Sequence, residues 1–273
     1  MTTPSICNIA GYFFGDLGDL PALKQELLSS CQELGIRGTI LISPEGINLF
    51  LAGSQQDIET FRENYKASPW LPHMILHVSY SQEIPFTRLL VKIKKEIIAF
   101  GPATIDPSQK RAPSMMPKEL RALYEKGEPF LLLDTRNDYE VRVGTFQDAR
   151  HLDVSSFRAF RDRVQELLPD HKDTLIVTVC TGGVRCEKAA LFMAEEGFTN
   201  VYQLHGGFLG YFKECGDAFY KGDCFVFDKR VAVTPQLGET HMRQCYACRN
   251  PLSPEDMASP LYQEGVSCPY CTD

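Results

Sequence analysis

The first hundred residues carry strand-like and helix-like apolar patterns in alternation. Apolar or β-branched runs predict strands, and leucines recurring every three or four residues predict helices. In chain order the predicted elements are a strand at 6–14, a helix at 21–35, a hairpin of 37–43 and 46–53, a helix from Ser54 to Tyr65, and strand-like segments at 73–80 and 88–100. The order β-α-β-β-α-β predicts a ferredoxin-like split βαβ domain over residues 1–105, with an extra strand or long hairpin at its end.

A second pattern begins after the proline-rich stretch DPSQKRAPSMMPK, which predicts a linker over residues 106–118. Helices and strands then alternate over residues 119–220. They are a helix through Tyr124, the strands FLLLDT, TLIVTV and VYQL, and the helices FRAFRDRVQELL and CEKAALFMAEEG. Strands separated by helices predict a parallel α/β sheet covered on both faces. The last segment, 221–273, is cysteine-rich and too short to fold on a core alone.

Composition adds an unusual use of cysteine to this ordinary globular pattern. The chain has 273 residues, is 44% hydrophobic and 23% charged, and contains ten cysteines. Its first residues lack the basic and apolar regions of a secretion signal, and no run of about 18 apolar residues predicts a membrane span. We therefore expect a cytoplasmic protein with no membrane partner. Its cysteines are then reactive, metal-bound or buried rather than paired in disulfides.

One cysteine stands where the local backbone favours a thiolate. Cys180 directly follows the strand TLIVTV and precedes two glycines, Arg185 and a helix. The glycines let backbone N–H groups turn inward, while the helix N-terminus and the arginine add positive charge. Such surroundings lower the pKa of a cysteine and predict a nucleophile rather than a packing residue. The predicted active-site loop comprises Thr181, Gly182, Gly183, Val184, Arg185 and Cys186.

Other uses of such a loop fit less well. No G-x-x-x-x-G-K-[ST] phosphate loop occurs in the chain. A cysteine phosphatase has five residues between its cysteine and arginine, whereas here only residues 181–184 separate Cys180 from Arg185. A tighter ring of N–H groups suits a persulfide sulfur or a small anion. Cys186 leaves two interpretations, a resolving thiol or a residue that packs its helix on the sheet.

The loop resembles the active-site loop of rhodanese-like domains. Further matches are Asp134-Thr135-Arg136, Tyr139-Glu140, Gly144 and His205-Gly206-Gly207, so the resemblance covers residues 115–220. Thr145 departs from the family pattern, in which a histidine follows the glycine. The resemblance implies a rhodanese-like fold and a persulfide or other sulfur intermediate on Cys180, stabilised by loop amides and Arg185. For Asp134 and Arg136 we expect a structural role.

A closer resemblance rests on the run CTGGVRCEKA, the turn SPEGIN at 43–48, and FVFDKR at 225–230 before the cysteine-rich tail. Together they resemble the oxygen-dependent tRNA uridine hydroxylase family. The resemblance implies conversion of the wobble uridine to 5-hydroxyuridine, with molecular oxygen as co-substrate, Cys180 as the functional cysteine and the tRNA anticodon region as a transient partner. The alternative is a rhodanese-type sulfurtransferase that moves sulfane sulfur from thiosulfate or a persulfide donor to a thiol or protein acceptor.

Four cysteines of the tail have the spacing of a structural zinc site. They are two C-x-x-C pairs separated by nineteen residues: Cys245, Cys248, Cys268 and Cys271. Metal binding would supply folding energy to a segment with little core. Disulfides, a redox dithiol and an unoccupied tail are the alternatives. The remaining cysteines are expected to pack in the core: Cys7, Cys31, Cys215 and Cys224.

Net charge limits how this chain would hold RNA. It carries 28 basic and 35 acidic residues, a formal charge of −7. Because undiscriminating nucleic-acid binding depends on neutralising phosphates, we expect a local patch, a transient RNA complex and no DNA partner. The candidate cations are Arg88, Lys92, Lys94, Lys95, Lys110, Arg111, Arg158, Arg161 and Arg163. The candidate aromatics for stacking an unpaired base are Tyr12, Phe13, Phe14 and Phe86.

Overall fold

The structure is a computed structural model that describes residues 5–101, 105–167 and 169–271. Outside these ranges lie residues 1–4 of the predicted first domain and residues 272–273 of the predicted last segment. Residues 102–104 and Leu168 also lie outside them.

The N-terminal sheet has the predicted ferredoxin-like order. Its elements are β1 (Ile6–Phe14), α1 (Leu20–Glu33), β2 (Arg37–Ser43), β3 (Gly46–Ser54), α2 (Gln55–Asn64), a 3₁₀ turn (Leu71–His73), β4 (Ile75–Ser81) and β5 (Leu89–Ile93). The sheet order is β4-β1-β3-β2-β5, and neighbours are antiparallel except that β5 lies parallel to β2. The extra strand ends at Ile93, so the second half of the predicted strand 88–100 leaves the sheet.

The two faces of this sheet have different partners. Ile9 of β1 and Ile40 of β2 lie on the face that α1 and α2 cover, in one apolar cluster. Because side chains alternate along a strand, the residues between them point to the other face. That face carries Tyr12 of β1, Asn48 of β3 and His77 of β4, and it faces the second domain. β1 is apolar on both sides because both of its faces are covered.

The second sheet is parallel, as predicted. The elements of this region are β6 (Ser114–Met115), α3 (Pro117–Lys126), β7 (Leu131–Asp134), α4 (Asp138–Val141), β8 (Gly144–Phe146), β9 (Arg150–His151), a 3₁₀ turn (Phe157–Ala159), α5 (Phe160–Leu167), another 3₁₀ turn (Pro169–His171), β10 (Ile176–Val179), α6 (Val184–Glu195), β11 (Val201–Leu204) and α7 (Gly207–Cys215). The strand order is β6-β11-β10-β7-β9. Apolar clusters with α5 and α6 on one face and α3 and α7 on the other cover the sheet.

The connection between the sheets is more structured than its composition indicates. Within the predicted linker 106–118, Ser114–Met115 pairs with β11 and forms one edge of the second sheet. Phe100, which the pattern places in the first domain, packs its ring on those of Phe157 and Phe192 in the second. Prolines break helical periodicity in this stretch, but they leave room for a two-residue edge strand.

The C-terminal segment has little regular structure. It contains β12 (Tyr220–Gly222), β13 (Cys224–Phe225), β14 (Ala232–Val233), β15 (Arg243–Gln244), β16 (Pro251–Leu252) and α8 (Pro254–Met257). β12 pairs with β8, and β13 forms a hairpin with β14, so the first part of the segment is attached to the second domain. Among the described residues, none of the helices has the length and apolar character that a membrane crossing requires.

A buried lysine joins the two domains. The Nζ of Lys188, in α6, lies 2.8 Å from Glu45 Oε2 and 2.9 Å from Glu96 Oε1, and the lysine side chain is fully buried. A buried charge requires such partners, and both carboxylates come from the first domain. Arg111 adds a hydrogen bond to the Phe14 carbonyl at 2.7 Å. The helix that follows Cys180 is therefore held directly against the N-terminal sheet.

Candidate active site

Cys180 follows β10, in a loop supported by the start of α7. The Cys180 carbonyl accepts a hydrogen bond from the Phe208 N–H at 3.0 Å. Gly207 makes this close approach feasible, because a Cβ there would lie 2.3 Å from the same carbonyl oxygen. The glycines of the motif at 205–207 thus position the cysteine loop from the neighbouring strand.

The helix after Cys180 begins earlier than its sequence pattern predicts. Gly183, with φ of 102°, caps α6, so the helix starts at Val184 rather than at Cys186. The Gly183 N–H donates a hydrogen bond to Cys180 Sγ at 3.1 Å. Arg185 and Cys186 consequently lie in the first helical turn, where the helix dipole favours a negative sulfur.

These surroundings favour the thiolate of Cys180. Burial alone would raise the pKa of Cys180. A hydrogen bond from the Cys186 thiol, the charge of Arg185 and the backbone N–H groups of Arg185 and Gly183 outweigh burial and lower that pKa to about 6. Most Cys180 side chains are therefore thiolate at neutral pH.

Cys186 has the opposite character. It is fully buried, and burial together with the neighbouring Cys180 sulfur raises the pKa of Cys186 well above its ordinary value. Its sulfur also lies 3.9 Å from Thr135 Oγ1. A neutral thiol that donates to the Cys180 thiolate fits both earlier interpretations, since it packs in the core and lies within reach of a sulfur intermediate.

Arg185 is held by an acidic partner that the sequence did not reveal. Its guanidinium makes two hydrogen bonds to Glu140, at 2.6 and 2.7 Å, and both side chains are almost completely buried. Glu140 lies on α4 and was noted only as part of the rhodanese pattern. The pair fixes the arginine beside the loop, and its charge still favours the Cys180 thiolate.

Asp134 and Arg136 form the predicted structural pair. Their side chains are fully buried, with Arg136 Nη2 2.7 Å from Asp134 Oδ2, and Nη2 also donates to the Gly144 carbonyl. Thr145, the departure from the family pattern, donates its hydroxyl hydrogen to Asp134 at 2.8 Å. Thr145 is thus part of the hydrogen-bond network around Asp134 and Arg136.

The Cys180 loop lines a cavity of about 300 Å³ at the domain interface. Interfaces between domains are common sites for small-molecule binding, and this volume is at the small end of their range. Cys180, Thr181, Gly182, Val184 and Arg185 form one wall, the open face of the N-terminal sheet forms the second, and residues 226–228 complete it.

The sheet wall contributes polar groups that sequence reasoning missed. His77 Nε2 lies 3.4 Å from the Gly182 carbonyl oxygen, and burial lowers the pKa of His77 to about 4, so its ring is neutral at pH 7. Asn48 and Phe50 lie on the same face. In the sequence, Asn48 is part of the SPEGIN turn at 43–48, but no pattern shows which distant segment covers this face of the sheet.

Three of the nine suspected RNA-contacting cations have other partners. Arg111 and Arg163 form ion pairs, and the Arg161 guanidinium lies over the Phe192 ring. Lys92 pairs in register with Leu41, so it lies on the cavity face beside a lining residue and is exposed. Among the four suspected aromatics only Tyr12 lines the cavity.

The cysteine tail gathers the four predicted ligands, here called the four-cysteine cluster. Their Sγ atoms all lie within 4.8 Å of one another. Three pairs are 3.5–3.6 Å apart, too far for the ~2.05 Å bond of a disulfide. Four sulfurs placed 2.3 Å from a central ion define edges of about 3.8 Å, so the cluster has the size of a tetrahedral metal site. The cysteines expected to pack, Cys7, Cys31, Cys215 and Cys224, are all buried.

Comparison with known proteins agrees with this two-domain description. A UPF0176 acylphosphatase-like domain matches residues 6–97, and a rhodanese-like domain matches residues 116–214. A Cupriavidus necator protein named tRNA uridine(34) hydroxylase is 44% identical, over 97% of this chain and 96% of its own. Proteins of the same name from Cupriavidus metallidurans and Burkholderia vietnamiensis are 43% and 41% identical, each over 98% of this chain and 97% of its own.

Proposed function

The chain belongs to the tRNA uridine(34) hydroxylase family, and from this premise we propose that it converts the wobble uridine of tRNA to 5-hydroxyuridine in the interdomain cavity. The observation that carries the proposal is the position of Cys180. Its thiol, with a lowered pKa, lines a cavity whose opposite wall is the N-terminal sheet. A wobble base is unpaired in the anticodon loop and enters such a cavity without breaking a helix.

The reaction exchanges the C5–H of the base for C5–OH. With molecular oxygen as co-substrate, one oxygen atom enters the base and the other leaves as water. Two electrons and two hydrogens are needed for that water, and two molecules of a small thiol reductant supply them by joining in a disulfide. Cys180 supplies the reactive sulfur beside the base, and residues 181–186 form its loop.

Cys180 also has the surroundings to carry a persulfide. A thiolate that attacks the outer sulfur of thiosulfate forms an S–S bond and releases sulfite. The N–H of Gly183 and the Arg185 charge would stabilise the terminal sulfur anion, as they do the thiolate. Cys186 is placed next to Cys180 as a resolving thiol: its sulfur would form an S–S bond with Cys180, and the outer sulfur of the persulfide would leave as hydrogen sulfide.

A sulfurtransferase would use the same Cys180 chemistry, but it has less support. Sulfur transfer from thiosulfate to a thiol leaves the N-terminal sheet without a role. In the structure this sheet supplies Tyr12, Asn48 and His77 to the cavity wall. The relatives named tRNA uridine(34) hydroxylase match nearly the whole of this chain, including the residues of that sheet.

The four-cysteine cluster is proposed to hold a structural zinc ion. All four donors are sulfur, which zinc accepts in closed tetrahedral sites, and the cluster has the corresponding size. When bound, zinc would supply folding energy to the tail. The tail contacts Arg142, the residue that follows α4. The Arg142 guanidinium lies 4.8 Å from the ring centre of Tyr270 in the tail. We place the protein in the cytoplasm, where tRNA is available and thiols stay reduced.

The function is tested in cells that lack the gene and are complemented with wild type, Cys180→Ala or Cys215→Ala. Cys215 is a buried cysteine of α7 that does not line the cavity, so it is the matched control. Mass spectrometry of tRNA nucleosides should show 5-hydroxyuridine with wild type and the control but not with Cys180→Ala. Equal 5-hydroxyuridine in the deletion strain, or full activity of Cys180→Ala, would overturn the proposal.

A further inference from the structure

A tyrosine hydroxyl in the cavity wall has no hydrogen-bond partner within the described part of the chain. Tyr12 is 3% exposed, its hydroxyl is buried, and its side chain lines the cavity. The hydroxyl lies beside the cysteine loop, since a Cβ at Gly183 would meet it at 2.9 Å. Buried polar groups without partners are rare and costly. The Tyr12 hydroxyl is therefore an unused hydrogen-bond donor in the cavity wall.

An amide stands directly opposite this hydroxyl on the same sheet face. Asn48 pairs in register with Tyr12 across β1 and β3, so the two side chains are neighbours. Its Nδ2 donates to the Ile97 carbonyl at 3.3 Å. Because a carbonyl only accepts, this bond fixes which way the amide points and leaves Oδ1 as an acceptor. The wall thus carries an O–H donor and a C=O acceptor on neighbouring residues.

Next to these polar groups the wall is aromatic. Phe50 follows Asn48 by two residues on the same face, and its ring centre lies 6.3 Å from that of Phe227 in the C-terminal segment. Phe227 is 47% exposed, which is unusual for a large apolar side chain. A flat heteroaromatic ring can stack on such a surface while its edge reaches the polar pair.

We propose that Tyr12 and Asn48 recognise uracil by its pairing edge, an inference that rests on the proposed function. Uracil presents a carbonyl acceptor at O4 next to an N–H donor at N3. The Tyr12 O–H donates to O4, and Asn48 Oδ1 accepts from N3–H. Cytosine presents an amino donor and a bare ring nitrogen at the same positions. The Tyr12 oxygen could accept from the amino group, but the ring nitrogen would face Asn48 Oδ1, an acceptor against an acceptor. A site that hydrogen-bonds its substrate rejects such mismatches strongly.

The first experiment uses Tyr12→Phe in the full-length protein. Affinity for an anticodon stem-loop RNA with uridine at position 34 should fall about 10-fold. The melting temperature should not fall, because the hydroxyl has no partner in the free protein. The matched control is Tyr124→Phe, whose hydroxyl donates to the Gln147 carbonyl at 2.7 Å and does not line the cavity. That variant should melt lower and bind RNA like wild type.

The second experiment compares stem-loops with uridine or cytidine at position 34. Wild type should prefer uridine by about 10-fold or more, and the variant Tyr12→Phe with Asn48→Leu should reduce that preference to about twofold. An unchanged preference in the double variant, or a lower melting temperature for Tyr12→Phe, would overturn the inference while leaving the hydroxylase proposal intact. Wild type that neither binds nor modifies the uridine stem-loop would instead overturn the proposed function.

Discussion

The Cys186 thiol is one of the groups that lower the pKa of Cys180, and removing it gives a quantitative test. In Cys186→Ala the donor is lost while the charge of Arg185 and the loop N–H groups remain. The pKa of Cys180 should therefore rise from about 6. Cys186→Ser keeps a hydroxyl donor at the same position, so the pKa of Cys180 should stay close to the wild-type value.

The size of the shift follows from the strength of the bond. A hydrogen bond to a charged group contributes about 1.5–3 kcal/mol, and a thiol is a weak donor, so the lower end applies. About 1.5 kcal/mol corresponds to about one pKa unit. At pH 6.5 the thiolate fraction of Cys180 should fall from about three-quarters to about one-quarter, and its alkylation should slow about threefold.

The assay measures the rate of alkylation of Cys180 by iodoacetamide between pH 5 and 9, with peptide mass spectrometry to isolate this cysteine. Cys31→Ala is the control, because Cys31 is buried in the apolar cluster of the N-terminal domain, which the Cys180 loop does not join. A Cys186→Ala profile that coincides with wild type, or moves to lower pH, would refute the role of this bond. Cys186→Ser separates pKa control from a resolving role, since serine cannot form a disulfide.

Three further outcomes are expected. Glu140→Gln leaves Arg185 buried without a counter-charge and should lower the free energy of unfolding by about 3–5 kcal/mol in urea titrations. The control Glu125→Gln removes an exposed ion pair with Arg121 and should lower it by under about 0.5 kcal/mol. The pKa of His77 is lowered to about 4, so on acidification His77 is protonated in the unfolded chain before it is protonated in the folded protein. Between pH 7 and 5 this difference should lower the free energy of unfolding of wild type by about 2 kcal/mol. His77→Gln should show a correspondingly smaller loss over the same pH range. Elemental analysis should find about one zinc per chain, and chelation should make the tail selectively sensitive to protease; protein that is metal-free after purification without chelators would reject the zinc proposal.

The elements that local patterns define were predictable from the sequence. Alternation in β1 to β4 gave the ferredoxin-like order, and the strand, two glycines and arginine around Cys180 gave the loop. Short segments such as β6 and the early start of α6 at Val184 were missed, because they depend on pairing with a distant strand and on the backbone angle of Gly183.

Contacts between the domains were not predictable. Lys188 has the spacing of an ordinary helical residue, yet it is buried between Glu45 and Glu96, which lie 90 or more positions away. Tyr12 was one of several aromatic candidates, and Asn48 appeared only as the last residue of the SPEGIN turn, with no role assigned to it. Strand alternation shows which residues share a face, but the partner of that face is set by the packing of whole domains.

Photo-crosslinking tests most directly whether the wobble base occupies the cavity beside Cys180. An anticodon stem-loop with 4-thiouridine at position 34 would be bound to the full-length protein, irradiated and digested, and the crosslinked peptides sequenced by mass spectrometry. We expect crosslinks in the residues that line the cavity, namely the loop 180–185, the strand residues around Tyr12 and Phe50, or residues 226–228. Crosslinks confined to surfaces outside the cavity, with none in the residues that line it, would contradict the proposed site.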